Sequence, residues 1–262
     1  MKRALVILVV AACQASSGGG DDYQIGPGGK SPLIPGDPTG DGGVDGGDAG
    51  VLISRRVCLL TDLRDIGKAA SCSGTLAGGL TVLLDGKTAT TKTAMNGAFQ
   101  IEAPVSSTST WRVSRDDTTS GVPLMITLTP YSSELLIPAI TSDRYDDLKG
   151  GSGITFGTDT GSMIVLVRQG TPAVPAQNIT AVGPADQTQD VQYDDANSAE
   201  NWNTVSTGPA GLVWVPAVPV AAGSARLTTV VLQRAGATVG SVTATVADQS
   251  ITFVTQGVPA PL

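Results

Sequence analysis

The sequence predicts an all-β protein: two antiparallel β-sandwich domains following a Gly/Asp-rich tether. Three observations carry that expectation. Thirty-three glycines and 16 prolines stand beside only 4% aromatic and 15% charged residues, a balance suited to turn-rich strands. Apolar residues recur with period two, as in Phe99 and Ile101, or in Val242, Ala244 and Val246 against Thr243 and Thr245. Turn pairs such as Asp85-Gly86 and Asn96-Gly97 punctuate these runs.

The first element is an N-terminal signal over residues 1–12. Lys2 and Arg3 precede an apolar run, Ala4 to Ala12, that is too short to span a bilayer. Val10-Ala11-Ala12-Cys13 resembles the lipobox of bacterial lipoproteins. That resemblance implies lipidation of the Cys13 thiol, cleavage after Ala12 and anchoring by several acyl chains, each buried CH₂ adding ~0.8 kcal/mol. An ordinary secretory signal or a buried core segment is the plainer reading of the same run. Gln14, rather than Asp, follows the cysteine, which in lipoproteins of diderm bacteria implies release to the outer membrane.

Residues 13–50 contain little beyond Gly, Asp, Ser and Pro and cannot bury a core. They read as a flexible tether with a reach on the order of 35 Å. Within it, Asp37, Thr39, Asp41, Asp45 and Asp48 stand at loop positions 1, 3, 5, 9 and 12, with Gly42 at 6 and Val44 at 8. The spacing is similar to an EF-hand or a single dockerin calcium loop. Gly-Asp tracts are also ordinary linker material, so calcium is the one metal the sequence raises.

Residues 51–142 form the first expected sandwich. Gly79 to Gly86 reads as a strand and an Asp-Gly turn, Thr88 to Thr93 as an exposed Thr-rich strand, and Asn96-Gly97 as a type I′ turn into Ala98 to Ile101. This order, ending in Gly97-x-Phe99-x-Ile101, resembles the carboxypeptidase regulatory-like family. The resemblance covers roughly residues 54–140 and implies a transthyretin-like, seven-stranded sandwich. Thr110 to Val113 and Met125 to Pro130 supply further strands. Residues 143–161, rich in Asp and Gly, read as a linker.

A second sandwich is expected over residues 162–262. Met163 to Val167 and Asn178 to Val182 are strands, with a turn over Pro172 to Pro175. Thr207 and Gly211 are similar to the Thr-x-x-x-Gly-x-aromatic step of the same family. Arg226 to Gln233, Thr238 to Val246 and Ser250 to Gln256 read as a three-stranded antiparallel meander.

The composition also removes chemistries. Without a single histidine the chain builds no Ser-His-Asp triad, Cys-His pair or His-ligated zinc site. A net charge of −7 argues against nucleic acid as a partner. Cys58 and Cys72 remain beside Cys13 and in an exported protein read as a disulfide, two free buried thiols being the alternative. Asp143, Asp146 and Asp147, or Asp194, Asp195 and Glu200, are carboxylate clusters of the kind a glycosidase pairs, but both lie in sequence typical of solvated loops. Trp214 alternates with Val213 and Val215 as core, and Trp111 sits in a strand. Trp202, in a polar stretch with Tyr193 nearby, is the candidate for stacking on a sugar.

The expectation is therefore a non-catalytic lipoprotein of the cell envelope, at the outer membrane and either surface-exposed or facing the periplasm. It needs no cofactor, apart from the covalent lipid and the calcium question. The partners expected are the membrane, through the anchor, and a protein or glycan. A carbohydrate-binding module is the second reading and a glycan hydrolase the third.

Overall fold

The computed structural model describes residues 51–66, 72–73, 77–84, 90–103, 109–115, 124–131, 136–195 and 201–261, all within one compact unit. The signal over residues 1–12, Cys13, the tether, the calcium-loop residues Asp37 to Asp48, and Glu200 lie outside the described residues. In chain order the first elements are β1 (Val51–Leu60), a 3₁₀ turn (Leu63–Asp65), β2 (Cys72–Ser73) and β3 (Thr81–Leu84). β4 (Thr90–Lys92), β5 (Ala98–Ala103), β6 (Thr110–Ser114), β7 (Ile126–Pro130) and β8 (Leu136–Ala139) follow, then the helix α1 (Ser142–Ser152). Beyond it lie β9 (Thr160–Gln169), β10 (Val174–Pro175), β11 (Thr180–Val182), β12 (Gln192–Asp194) and β13 (Trp202–Asn203). β14 (Leu212–Pro219), β15 (Ala225–Arg234), β16 (Ala237–Ala247) and β17 (Ser250–Val258) complete the order. The fold is an all-β sandwich.

The strands on either side of α1 repeat one another in register. β1 pairs antiparallel with β5, placing Ile53 opposite Ile101 and Arg56 opposite Ala98. β9 pairs antiparallel with β14, placing Met163 opposite Val215 and Leu166 opposite Leu212. The far side of β1 takes β8 in parallel, as the far side of β9 takes β17. β2 adds to the end of β1 as β10 adds to the end of β9. The facing sheets run β3-β6-β7 and β11-β15-β16, with Thr81 opposite Ser114 and Thr180 opposite Gln233. Thus β1, β2, β3, β5, β6, β7 and β8 have counterparts in β9, β10, β11, β14, β15, β16 and β17. The chain contains two structural repeats.

A threonine clasp marks the same place in each. Thr93 donates its hydroxyl to the Ala77 carbonyl (2.5 Å) and accepts the Leu80 N–H (2.9 Å), while its own N–H bonds the Leu80 carbonyl. Thr207 donates to the Ala176 carbonyl (2.8 Å), accepts the Ile179 N–H (2.9 Å) and bonds the Ile179 carbonyl in the same way. Four residues beyond each threonine a left-handed glycine, Gly97 (φ 81) or Gly211 (φ 69), turns the chain into the next strand. A Cβ at Gly97 would collide with the Val57 carbonyl, and at Gly211 would stand 2.7 Å from the Val167 carbonyl. These are equivalent carbonyls on β1 and β9.

Each repeat has its own core. Val57, Leu80, Val82, Trp111, Val113 and Ile137 belong to the first; Met163, Val165, Ile179, Val213, Val230 and Val242 belong to the second. A third apolar layer joins them, with Cys58, Leu60 and Ile140 packed with Ile164, Leu166, Trp214 and Phe253.

Several expectations change here. Residues 143–161 are not a plain linker. Thr141 caps α1 by accepting the Arg144 N–H (3.2 Å), Gly153 ends it in a left-handed conformation, and Tyr145, Leu148 and Ile154 are buried in the joining layer. The polar residues of this stretch occupy the wet side of a helix, so composition alone suggested a loop. The two sandwiches are also fused. β7 pairs in parallel with β17, with Leu128 opposite Thr252, and a ten-stranded sheet crosses both repeats.

The expected meander ends at β16. β17 leaves that sheet for the facing one, because it is apolar on both sides: Ile251 and Phe253 enter the joining layer while Val254 and Val258 pack on the second core. Three ladders are parallel rather than antiparallel. The Asn96-Gly97 turn closes tightly, with the Gly97 N–H on the Ala94 carbonyl (2.8 Å) and the Ala94 N–H on the Ala98 carbonyl (2.8 Å), but the strands it joins go on to different sheets. β4 pairs with β3 and β5 with β1, and only Gly97 of the two has positive φ, which excludes type I′.

Candidate functional site

The chemistry-bearing side chains of the second repeat gather where β12 and β13 are laid on the edge of β14. Alternation along β12 sends Tyr193 to one face and Asp194 to the other, and the cross-strand register sets Asp194 opposite Trp202 and Tyr193 opposite Asn203. Tyr193 and Trp202 therefore lie on opposite faces of the sheet.

This corrects the expected stacking pair. Tyr193 is buried in the second core, where its hydroxyl accepts the Ala181 N–H (2.8 Å). Burial pushes its phenol pKa upward. Trp202 is half-buried against Trp214, with ring centroids 5.0 Å apart. Trp214 is fully buried, as expected, and Phe156 stacks on it at 6.0 Å. The indole N–H groups of Trp202 and Trp214 are both buried and find no hydrogen-bond partner among the described residues.

Asp194 is not a solvated loop carboxylate. It is 3% exposed, and its Oδ1 accepts the N–H groups of Gly208 (3.0 Å) and Leu212 (2.8 Å) while Oδ2 accepts that of Ala210 (2.7 Å). The Asn203 amide donates to the carbonyls of Tyr193 (3.2 Å) and Asp194 (2.9 Å). A Cβ on Gly208 would come within 2.6 Å of the Asp194 carbonyl, so this close approach requires glycine. The carboxylate thus organises the segment that carries Thr207 into β14. The signal in the sequence was the Gly208-Pro209-Ala210-Gly211 run, whose free N–H groups call for a nearby acceptor.

The other carboxylate cluster lies on α1. Asp146 pairs with Lys149 and Asp147 with Arg144 (3.7 Å), one helical turn apart, and Asp143 falls in the first turn, where the helix dipole favours a negative charge. Beneath them the Tyr145 hydroxyl bonds that of Ser162, and burial drives the Tyr145 phenol far above its ordinary range, an effect the Ser162 bond only partly offsets.

Cys58 and Cys72 form the expected disulfide, with Cα atoms 4.8 Å apart, tying β2 to β1. Beside it a cavity of about 170 Å³ is lined by Leu60, Leu136, Ile164, Leu166 and Phe253. A more polar cleft of about 360 Å³ is bordered by Asp62, Arg64, Arg168, Asp194 and Asp195. Asp62 there caps the 3₁₀ turn through the Arg64 N–H and pairs with the Arg64 guanidinium at 2.8 Å, which raises the Arg64 pKa. Among the described residues no group of three or more Cys, Asp or Glu side chains is placed to hold a metal. No helix among them is long and apolar enough to cross a membrane.

No family model matches this sequence, and no curated protein is similar to it. Some solved structures overlap it weakly. The minor pilin of Streptococcus agalactiae is 11% identical over 80% of this chain and 97% of its own, with a TM-score of 0.26. A streptococcal ancillary pilin is 11% identical over 79% and 69%, with a TM-score of 0.24. A shaft pilin variant of Lactobacillus rhamnosus GG is 8% identical over 81% and 99%, with a TM-score of 0.25. Overlaps this low decide nothing about function.

Proposed function

We propose that this protein is a non-catalytic, membrane-anchored lipoprotein of the cell envelope that presents two carboxypeptidase regulatory-like sandwich repeats to a partner. The observation that carries the reading is the use to which its reactive and aromatic side chains are put. Asp194 is consumed by three backbone N–H groups, Tyr193 by the backbone of β11, and Trp214 by the joining layer. A general acid needs a proton to exchange with substrate, and a sugar platform needs an open ring face. Neither Asp194 nor Tyr193 has such freedom.

The role is mechanical in this reading. Acyl chains on Cys13 hold the protein to the membrane, residues 13–50 space it from the surface, and the loops at the sandwich ends contact a protein. The test compares wild type with Cys13→Ser by detergent partitioning and by protease shaving of intact cells. Wild type should enter the detergent phase and be shaved, and the variant should stay in the aqueous phase. A wild type that remains aqueous rejects the anchor, and one that is anchored but protected in intact cells rejects surface display.

A further inference from the structure

We infer that the β16 edge is a self-association surface at which a second copy of this chain pairs, antiparallel, around a two-fold axis. Among the described residues the sheet β11-β15-β16 ends at β16, an 11-residue strand that pairs with no strand on its far side, where β17 packs close by at Thr245. Edges of this length are ordinarily protected by Lys or Pro, and Ala237–Ala247 contains neither, nor any acidic residue. The bulge at Val239, where Leu232 pairs with Gly240 but Gln233 with Thr238, shortens the open stretch without closing it.

The open hydrogen-bonding groups can be assigned. The Thr245 carbonyl turns away from β15 to accept the Thr252 hydroxyl (2.7 Å). Backbone groups two residues apart point the same way along a strand, so those of Ser241 and Thr243 face the edge as well. Among the described residues they have no backbone partner there, and both residues are exposed.

The equivalent edge in the first repeat is already occupied. β7 is the counterpart of β16, and it receives β17 in parallel. Strand addition at this edge is thus something the fold performs once within the chain.

The choice of occupant rests on charge and on pattern. The edge is uncharged in a protein of net charge −7, and the charged residues near it are turned to other partners: Arg226 to Asp186 (2.6 Å), Arg234 to Gln169 and the Pro259 carbonyl, and Asp248, just past the strand's end, to the Gly223 N–H through Oδ2 (2.9 Å). A charged segment would find no counter-charge, whereas β16 matches itself. With Val242 on the two-fold axis, Ser241 of one copy lies opposite Thr243 of the other and the two exchange backbone bonds, twice over. Val242 and Ala244 then continue the core-facing row, while the hydroxyls continue an outer face on which Thr229 and Thr243 are already bonded at 2.8 Å. The result is an isologous six-stranded sheet.

Hydrogen exchange of the Ser241 and Thr243 amides, followed by NMR as protein concentration rises into the millimolar range, tests this together with sedimentation equilibrium. Wild type should form a reversible dimer in which these two amides slow in step with dimerisation. Thr243→Lys and Ser241→Pro should each weaken association at least about tenfold, while Thr229→Lys, on the neighbouring strand of the same face, should leave it intact. The inference fails if wild type stays monomeric throughout, if both edge variants dimerise normally, or if Thr229→Lys is as disruptive as Thr243→Lys. Protection of these amides only on adding another protein would also overturn it.

Discussion

Replacing Asp194 by alanine removes one acceptor group from three backbone donors at once, and its cost can be worked from the burial of each donor. Leu212 is buried, so its N–H loses its partner with no route to bulk water, at about 2–3 kcal/mol. Gly208 and Ala210 are half-buried and can be rehydrated in part, at about 0.5–1 kcal/mol each. The sum is about 3–5 kcal/mol. For a folded unit of this size it corresponds to a fall in melting temperature of roughly 10 °C. Asp194→Asn should cost less, because a single amide oxygen can still serve the Gly208 and Leu212 donors on the Oδ1 side while its NH₂ faces the Ala210 N–H. The assay is urea unfolding followed by tryptophan fluorescence, with a calorimetric scan. An Asp194→Ala protein within about 1 kcal/mol of wild type would refute the structural role, and the carboxylate would again be free for chemistry.

Two further outcomes test the repeat and the joining layer. Thr93→Val and Thr207→Val each leave a buried carbonyl and a buried N–H unpaired, so each should cost about 2–3 kcal/mol in urea unfolding, while the corresponding Ser variants retain most of the stability; grossly unequal costs would argue against equivalent clasps. Tyr145 should not ionise until the protein unfolds, because burial raises its folded pKa above the ordinary value of about 10. A raised folded pKa means that this contribution to stability is intact below about pH 10 and is lost as the pH rises beyond it; Tyr145→Phe should flatten the alkaline fall in stability and remove a late component of the 295 nm absorbance titration.

Much of the fold was legible because half-buried strands write their geometry into alternate residues. Val242, Ala244 and Val246 face the core as the period-two pattern requires, and Phe99 and Ile101 share a face. The Thr-x-x-x-Gly step was legible for a different reason: left-handed backbone and close approach to a carbonyl leave glycine as the residue that fits at Gly97 and Gly211. What stayed hidden was long-range. The parallel pairing of β7 with β17 joins strands more than a hundred residues apart, and no local pattern encodes a partner at that distance. The helix was hidden because Tyr145 and Leu148 are its main buried contacts, too few to raise an apolar periodicity above the Asp and Gly around them. At the candidate site, sequence proximity suggested that Tyr193 and Trp202 cooperate, but the pleat of a paired strand places them on opposite faces.

The two repeats also explain why Tyr193 is inside at all. In the first, Phe99 and Trp111 meet edge to face with centroids 5.6 Å apart, and two large rings fill the space between the sheets. Strand register makes Val213 and Val230 their counterparts in the second. Two valines occupy far less volume than a phenylalanine and a tryptophan, and an unfilled core costs stability in proportion to the void left behind. The second repeat has strand β12 on the edge of β14, whereas the corresponding edge of β5 carries none among the described residues. From β12 the ring of Tyr193 enters the same core as Val213 and Val230, and its hydroxyl reaches the backbone of β11, which satisfies the one polar atom the substitution introduces. Asp194, its neighbour on the strand, then has to lie on the opposite face, where the turn into β14 presents its N–H groups. A residue pair that resembles a binding site in sequence is, on this account, what lets the second repeat close a core built from smaller side chains.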